Sequence, residues 1–232
     1  MISGGYKSAA FKAPRALAPL RRGGFANPSG GGGRGSVLPS NSELKFKDNT
    51  TTLNPTVGAA TWVPFTTAAG AGTSQLLNGL VPDSTATGRI GRRVLIKSLY
   101  VRVTCRLAAT SVGGAPIRMI IVYDKQSNAA APAVTDVFTT DNFNSMNNIS
   151  NRDRFVTLVD QIIPTISTSS DPVQHLEVYK KLNLPVQFNA GTAGTIGDIT
   201  SGAMYMTFVQ EGYITVASPA VAYYARVRYT DS

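Results

Sequence analysis

An all-β fold of packed antiparallel sheets is what this sequence predicts, and three observations predict it. Beyond residue 40, β-branched and aromatic residues alternate with polar ones at a period of two. Long stretches rich in Gly, Ala, Ser, Thr and Asn separate the alternating segments. No segment carries the 3.6-residue apolar periodicity of an amphipathic helix.

Residues 1–40 stand apart from this pattern. They hold Lys7, Lys12, Arg15, Arg21, Arg22 and Arg34 with no acidic residue, nine glycines and four prolines. Such a stretch buries too little apolar surface to offset the entropy of ordering, so a disordered basic arm is expected there, followed by one folded domain over 41–232. The whole chain carries 22 Lys+Arg against 13 Asp+Glu, a formal charge of +9. Two thirds of that charge therefore sits in the arm.

Within the domain, Glu43–Asp48 alternates strictly and reads as a short first strand. Ala60–Phe65 continues or pairs with it, with Pro64 marking an edge or bend. Residues 66–92 read as a long loop with one helical turn around Gln75-Leu76-Leu77. The strongest strand follows, Val94 to Leu107, with Leu99, Val101, Val103, Cys105 and Leu107 on one face and Tyr100, Arg102, Thr104 and Arg106 on the other. Ile117–Asp124 is the next strand, and Lys125 to Asp153 is an excursion. Phe155–Ile163 and Gln174–Leu184 are further strands, the second interrupted at Pro185 before a short piece over Val186–Phe188. Gly191–Gly202 reads as a turn region, and Ala203–Val209 and Val221–Tyr229 complete the pattern. Eight or nine strands with loops of this length suit a single eight-stranded jelly roll, two four-stranded antiparallel sheets joined by Greek keys.

The residue inventory excludes several chemistries. One cysteine, Cys105, rules out an internal disulfide and a multi-cysteine zinc site, and one histidine, His175, argues against a His-rich metal site or a Ser-His-Asp triad. His175 could pair with Glu177, two residues on and sharing its face. No catalytic residue, metal site or cofactor is expected. Gly191–Gly197 resembles a phosphate loop only in its glycines; the Lys-Ser/Thr of a nucleotide site is missing. No apolar run reaches 18 residues, so no membrane insertion is expected, and the N-terminal residues lack the apolar stretch of a secretory signal. Charged residues make up only 15% of the chain, which fits a surface partly covered by neighbouring copies.

Four blocks carry a family resemblance. Gly91-Arg92-Arg93-Val94-Leu95-Ile96-Lys97-Ser98-Leu99-Tyr100-Val101 resembles a strand region in the coat proteins of small circular, Rep-encoding single-stranded DNA viruses. So do Arg118–Gln126, Asn151–Phe155 and Tyr179–Pro185, in the same order. Such circovirus-like coats in turn resemble those of plant satellite viruses and geminiviruses, and the likeness spans roughly residues 43–230. It implies a jelly-roll subunit, assembly of about 60 copies into a T=1 icosahedral capsid, and an arm facing inward onto a circular single-stranded DNA genome. The arm here is shorter and less arginine-rich than the dense arms of circoviruses.

Candidate sites follow from charge and residue type. The six arm cations would meet phosphate through Coulomb attraction and counterion release, and Arg21-Arg22 with Lys12 and Arg15 is also a loose nuclear-import pattern. Arg92, Arg93 and Lys97, at the start of the strongest strand, would either continue that contact on the shell's inner surface or bridge to a neighbouring subunit. Arg102 and Arg106 would extend a basic stripe or pair with an acid on an adjacent strand. Trp62, Arg152, Asp153, Arg154, Arg226 and Arg228 are candidate subunit-contact residues, the 152–154 triplet alternatively a loop clamp or a solvated turn, and Arg226 and Arg228 on the outward or interface face of the last strand. Tyr123, Tyr205, Tyr223, Tyr224 and Phe208 are expected in the core or at an interface rather than on bases.

The expected function is a self-assembling capsid protein of the virion, DNA-binding, with assembly in the host nucleus and a host receptor that no motif encodes. The competing reading is a non-assembling β-sandwich that binds carbohydrate or nucleic acid and carries a basic tail. Six arm cations in about 60 copies supply several-fold less charge than a genome of roughly two thousand nucleotides carries. Inner-face cations would have to contribute.

Overall fold

A computed structural model describes residues 43–53, 62–63, 65, 76–106, 116–164, 173–211 and 220–231. The arm residues Lys7, Lys12, Arg15, Arg21, Arg22 and Arg34 lie outside the described residues, as do Pro64 and Leu107.

Eight strands follow in order: β1 (Leu44–Leu53), β2 (Arg93–Arg106), β3 (Ile117–Asp124), β4 (Phe155–Ile163), β5 (Val173–Phe188), β6 (Ile199–Ser201), β7 (Ala203–Gln210) and β8 (Ala220–Asp231). One helical turn, α1 (Val134–Val137), lies in the excursion between β3 and β4. The strands form two sheets, ordered β1-β8-β2-β5-β6 and β4-β3-β7, antiparallel throughout. The chain passes from one sheet to the other between β2 and β3, β4 and β5, β6 and β7, and β7 and β8, the wrapping of a jelly-roll sandwich.

The strands divide five and three, not four and four as the sequence predicts. Two local events account for the difference. Ile199–Ser201, read as turn, adds to the end of β5 as β6, pairing at Gln187 and Phe188. The fourth position of the smaller sheet is held by short segments beside β7. The Val63 N–H donates to Phe208 O (2.9 Å), the Leu77 N–H donates to Met204 O (2.8 Å), and Leu76 bridges Tyr205. Trp62–Phe65 therefore lies along β7 rather than β1, and Leu76-Leu77 is extended rather than helical. Both segments satisfy backbone groups on an edge that would otherwise be open.

β5 also runs through Pro185 instead of stopping there. The Pro185 carbonyl accepts the Tyr123 hydroxyl from the other sheet. A strand residue's N–H and C=O point to the same side, so the N–H that proline lacks removes no bond to β2.

The core lies between the sheets. Ile96, Leu99, Val101, Val103 and Cys105 of β2 point inward with Val221, Tyr223, Ala225 and Val227 of β8. They face Met119 and Ile121 of β3 and Met206 and Phe208 of β7. Phe208 and Tyr223 meet across the gap with ring centroids 6.2 Å apart. A register shift in β2 between Ile96 and Ser98 keeps both Ile96 and Leu99 inward and leaves Lys97 and Ser98 together on the outer side. Every residue of β7 is buried, because the 125–153 excursion covers the outer face of the smaller sheet. Trp62 stacks on Phe138 there (centroids 4.3 Å apart), and Phe65 packs edge-on to Tyr205.

Gly202 joins the two sheets at the β6–β7 crossing with φ +87°. A Cβ there would sit 2.4 Å from the Pro185 carbonyl oxygen. Gly202→Ala is therefore expected to lower stability by about 1–3 kcal/mol, from backbone strain and the clash together. A urea denaturation midpoint equal to that of the unsubstituted protein would contradict this.

Candidate nucleic-acid and subunit-contact surfaces

The two outer faces of the sandwich differ in kind. That of the smaller sheet is closed by the chain's own excursion, and among the described residues no element lies over that of the larger sheet. Arg118 holds the cover down. Its guanidinium pairs with both Asp160 oxygens (2.8 and 2.6 Å) and donates to Phe143 O and Ser145 O (2.8 and 2.7 Å), with Trp62 5.5 Å from its centre. Trp62 is 2% exposed, its N–H donating to Asp141 and its ring N–H to Asn142 O. It is thus a core residue of its own subunit rather than the expected contact to a neighbour.

The charged triplet before β4 divides. Arg154 makes a two-pronged pair with Asp124 (2.9 and 2.8 Å), whose carboxylate is fully buried. The pair closes the ends of the excursion, and the Lys125 N–H donates to Arg154 O beside it. Arg154 thus takes the loop-clamp alternative, with its partner in the same chain. Hydrogen bonding to Asp124 holds its guanidinium pKa above the ordinary value. Arg152 and Asp153 remain exposed, 4.0 Å apart.

Arg226, on the outer face of β8, also has a partner in its own chain. It grips both oxygens of Asp48 on β1 (2.6 and 2.7 Å) and donates to the Tyr224 hydroxyl. The hydrogen bond from Arg226 holds the Asp48 carboxyl below its ordinary range. A lowered folded-state value stabilises above the unfolded pKa and is lost as pH falls through the folded one. The pair thus persists to pH values below those at which an ordinary aspartate protonates.

The open face is arranged in cross-strand rows. One row reads Asp48–Arg226–Tyr100–Tyr179 across β1, β8, β2 and β5, and the next reads Thr50–Tyr224–Arg102–Glu177. Arg102 pairs with Glu177 (2.9 Å), the acid-on-an-adjacent-strand alternative. Thr104 and His175 hydrogen-bond in the row beyond (3.0 Å). On the other side, Ser98 pairs with Arg228 of β8 and Lys181 of β5, with Lys97 beside it in the bulge.

The start of β2 is set by a buried cation that the sequence reading did not single out. Arg89 donates to Leu80 O, Gly91 O and Gly191 O (3.2, 2.5 and 2.7 Å) and lies 4.4 Å over the Phe188 ring. Burial lowers its pKa, opposed by the charge of Asp198. With three carbonyls fixing it, the chain turns at Gly91 and presents Arg92 and Arg93 to solvent. Among the described residues, Arg92, Arg93, Lys97, Lys181 and Arg228 have no carboxylate within ion-pair distance. Lys181 also escaped the sequence reading; only its register opposite Ser98 reveals its place.

Other chemistries find no support among the described residues. No group of three or more His, Cys, Asp or Glu side chains converges there. Burial pushes the Cys105 thiol up to about 12, which leaves it un-ionised at neutral pH. No helix among them is long and apolar enough to cross a membrane.

A family model described as satellite tobacco necrosis virus coat protein matches residues 57–232. No curated protein matches the chain.

Replacing Arg154 with Met removes the ion pair of the fully buried Asp124 carboxylate, and the cost expected is about 3–5 kcal/mol. The readouts are a lower denaturation midpoint and faster proteolysis within 125–153. Wild-type stability and cleavage rate in Arg154→Met would contradict the clamp.

Proposed function

This chain belongs to the satellite tobacco necrosis virus coat protein family, and we propose that about 60 copies close into a T=1 icosahedral shell around a circular single-stranded DNA genome, a copy number and genome type that rest on the resemblance of the four sequence blocks and not on that match. It is a structural capsid protein of the virion and not an enzyme. The basic arm and the cations at the start of β2 contact phosphate from the inside. Single-stranded DNA is the cargo in this reading because the four sequence blocks resemble coats of circular Rep-encoding viruses. On the same reading, the Arg21-Arg22 cluster takes subunits to the host nucleus.

One observation carries the proposal within the family. Among the described residues, Arg93, Lys97 and Arg228 have no acidic partner and lie on the outer face of the larger sheet, with the exposed Arg92 just before β2. Fixed like charges on one face repel each other and draw a polyanion by counterion release. Arg152 and Asp153, exposed at the far edge of the excursion, are the charged pair left available to a neighbouring subunit. A non-assembling binding module would share the sandwich but not the coat-family match.

The full chain is expected to form megadalton particles by light scattering rather than a 24.5 kDa species. Reversing Arg21, Arg22 and Arg34 to Glu brings the arm to zero net charge and should cut packaged nucleic acid to roughly half, with the fold intact. The measurements are the ultraviolet absorbance ratio of purified particles and nuclease digestion that separates DNA from RNA. Unchanged nucleic-acid content, or a lone subunit under every assembly condition, would contradict the proposal.

A further inference from the structure

The open face of the larger sheet carries more than cations. Tyr224, Tyr100 and Tyr179 lie on three adjacent strands, β8, β2 and β5, and all point away from the core. Tyr100 pairs directly with Tyr179, and Tyr224 sits in the next row. Tyr179 is 57% exposed. Tyr100 and Tyr224 are half-buried, with the guanidinium groups of Arg102 and Arg226 5.4 and 5.7 Å from their ring centres, while Tyr179 presents its ring to solvent.

Two of these rings are held in place. The Tyr100 hydroxyl accepts from Arg102 Nε (2.5 Å) and the Tyr224 hydroxyl from Arg226 Nη2 (2.6 Å). Glu177 and Asp48 cancel the charges of those two arginines. The result is a neutral scaffold that orients rings before any ligand arrives, which reduces the entropy lost on binding. In the neighbouring row, about 7 Å along the strands, stand Arg228, Lys97 and Lys181 without acidic partners among the described residues.

We infer that this face is a base-stacking subsite for single-stranded nucleic acid, with Tyr100, Tyr179 and Tyr224 receiving bases and Lys97, Lys181 and Arg228 receiving phosphates. The inference rests on the reading that the shell encloses a single-stranded genome, and it adds selectivity for unpaired bases. A single strand exposes a π-face at every base beside its phosphate chain, which matches rings one row from cations. A duplex hides those faces in its own stack. A second copy of the same face is disfavoured as occupant, because a two-fold contact would set the cation row of one copy against that of the other.

The test uses the full chain as free subunits and three labelled probes: a 12-nucleotide oligo-dT, an abasic 12-mer of equal charge, and a 12-base-pair duplex. Fluorescence anisotropy should show oligo-dT binding at least tenfold tighter than the abasic strand, and tighter than the duplex per phosphate. The double variant Tyr100→Ala/Tyr179→Ala should lose that tenfold while its affinity for the abasic strand holds. Tyr179→Phe, which keeps the ring, should retain the preference, and Lys97→Ala/Arg228→Ala should weaken both strands alike and lower the salt slope by about 1.4.

Equal wild-type affinity for oligo-dT and the abasic strand would overturn the stacking subsite while leaving phosphate-driven packaging intact. Absence of binding to either strand would overturn both. A tyrosine double variant that blocks subunit assembly but keeps the full preference for oligo-dT would show that the face meets another subunit, and would also overturn the subsite.

Discussion

The alternation along β2 is the constraint on which the rest of the subunit depends. β2 lies inside the five-stranded sheet with β8 on one side and β5 on the other. Its inward residues Leu99, Val101, Val103 and Cys105 are fully or almost fully buried, and Arg102 and Arg106 face out. A slip of one residue against either neighbour would drive guanidinium groups into the core, so the register is strongly fixed. The bulge at Lys97-Ser98 interrupts the alternation at one place. It keeps Ile96 inward and adds a cation to the outer row. One strand thus produces both the dry interior and the charged exterior.

That asymmetry extends to the whole sandwich. The smaller sheet lies beneath a cover fastened by Arg118 and Arg154. Asp136, Asp141, Asp153 and Asp160 all belong to that side. The cations without an acidic partner among the described residues lie on the opposite side, at the start and middle of β2 and on its two neighbours. Asp48 and Glu177 also stand on the larger sheet's outer face, and Arg118 and Arg154 on the covered side, so the asymmetry is an excess of cations on the larger sheet, which suits a surface that meets a polyanion.

Much of this was legible in the sequence, because alternation is a local signal. β2, β3, β4, β7 and β8 lie close to where periodicity puts them, and the outer set Tyr100, Arg102, Thr104 and Arg106 follows from parity alone. What was not legible depends on contacts distant along the chain. Arg226 meets Asp48 across 178 residues, and Arg154 meets Asp124 across 30, so neither pair leaves a local trace. β6 has three residues and exists only because β5 offers it an edge. Pro185 reads as a strand breaker unless the direction of its carbonyl is known. Tyr179 and Lys181 keep the outward parity of β5, but the register that sets them beside Tyr100 and Ser98 is shifted opposite Ile96–Ser98, so the aromatic and cationic rows across strands do not follow from a count along the chain.

The most direct test of the central claim is a cryo-electron microscopy reconstruction of assembled, nucleic-acid-filled particles, read for the orientation of the larger sheet. The account predicts that its outer face lines the lumen, with polymer density against the row formed by Lys97, Lys181 and Arg228. A shell in which that face points to the exterior, or is sealed against a neighbouring subunit, would contradict it.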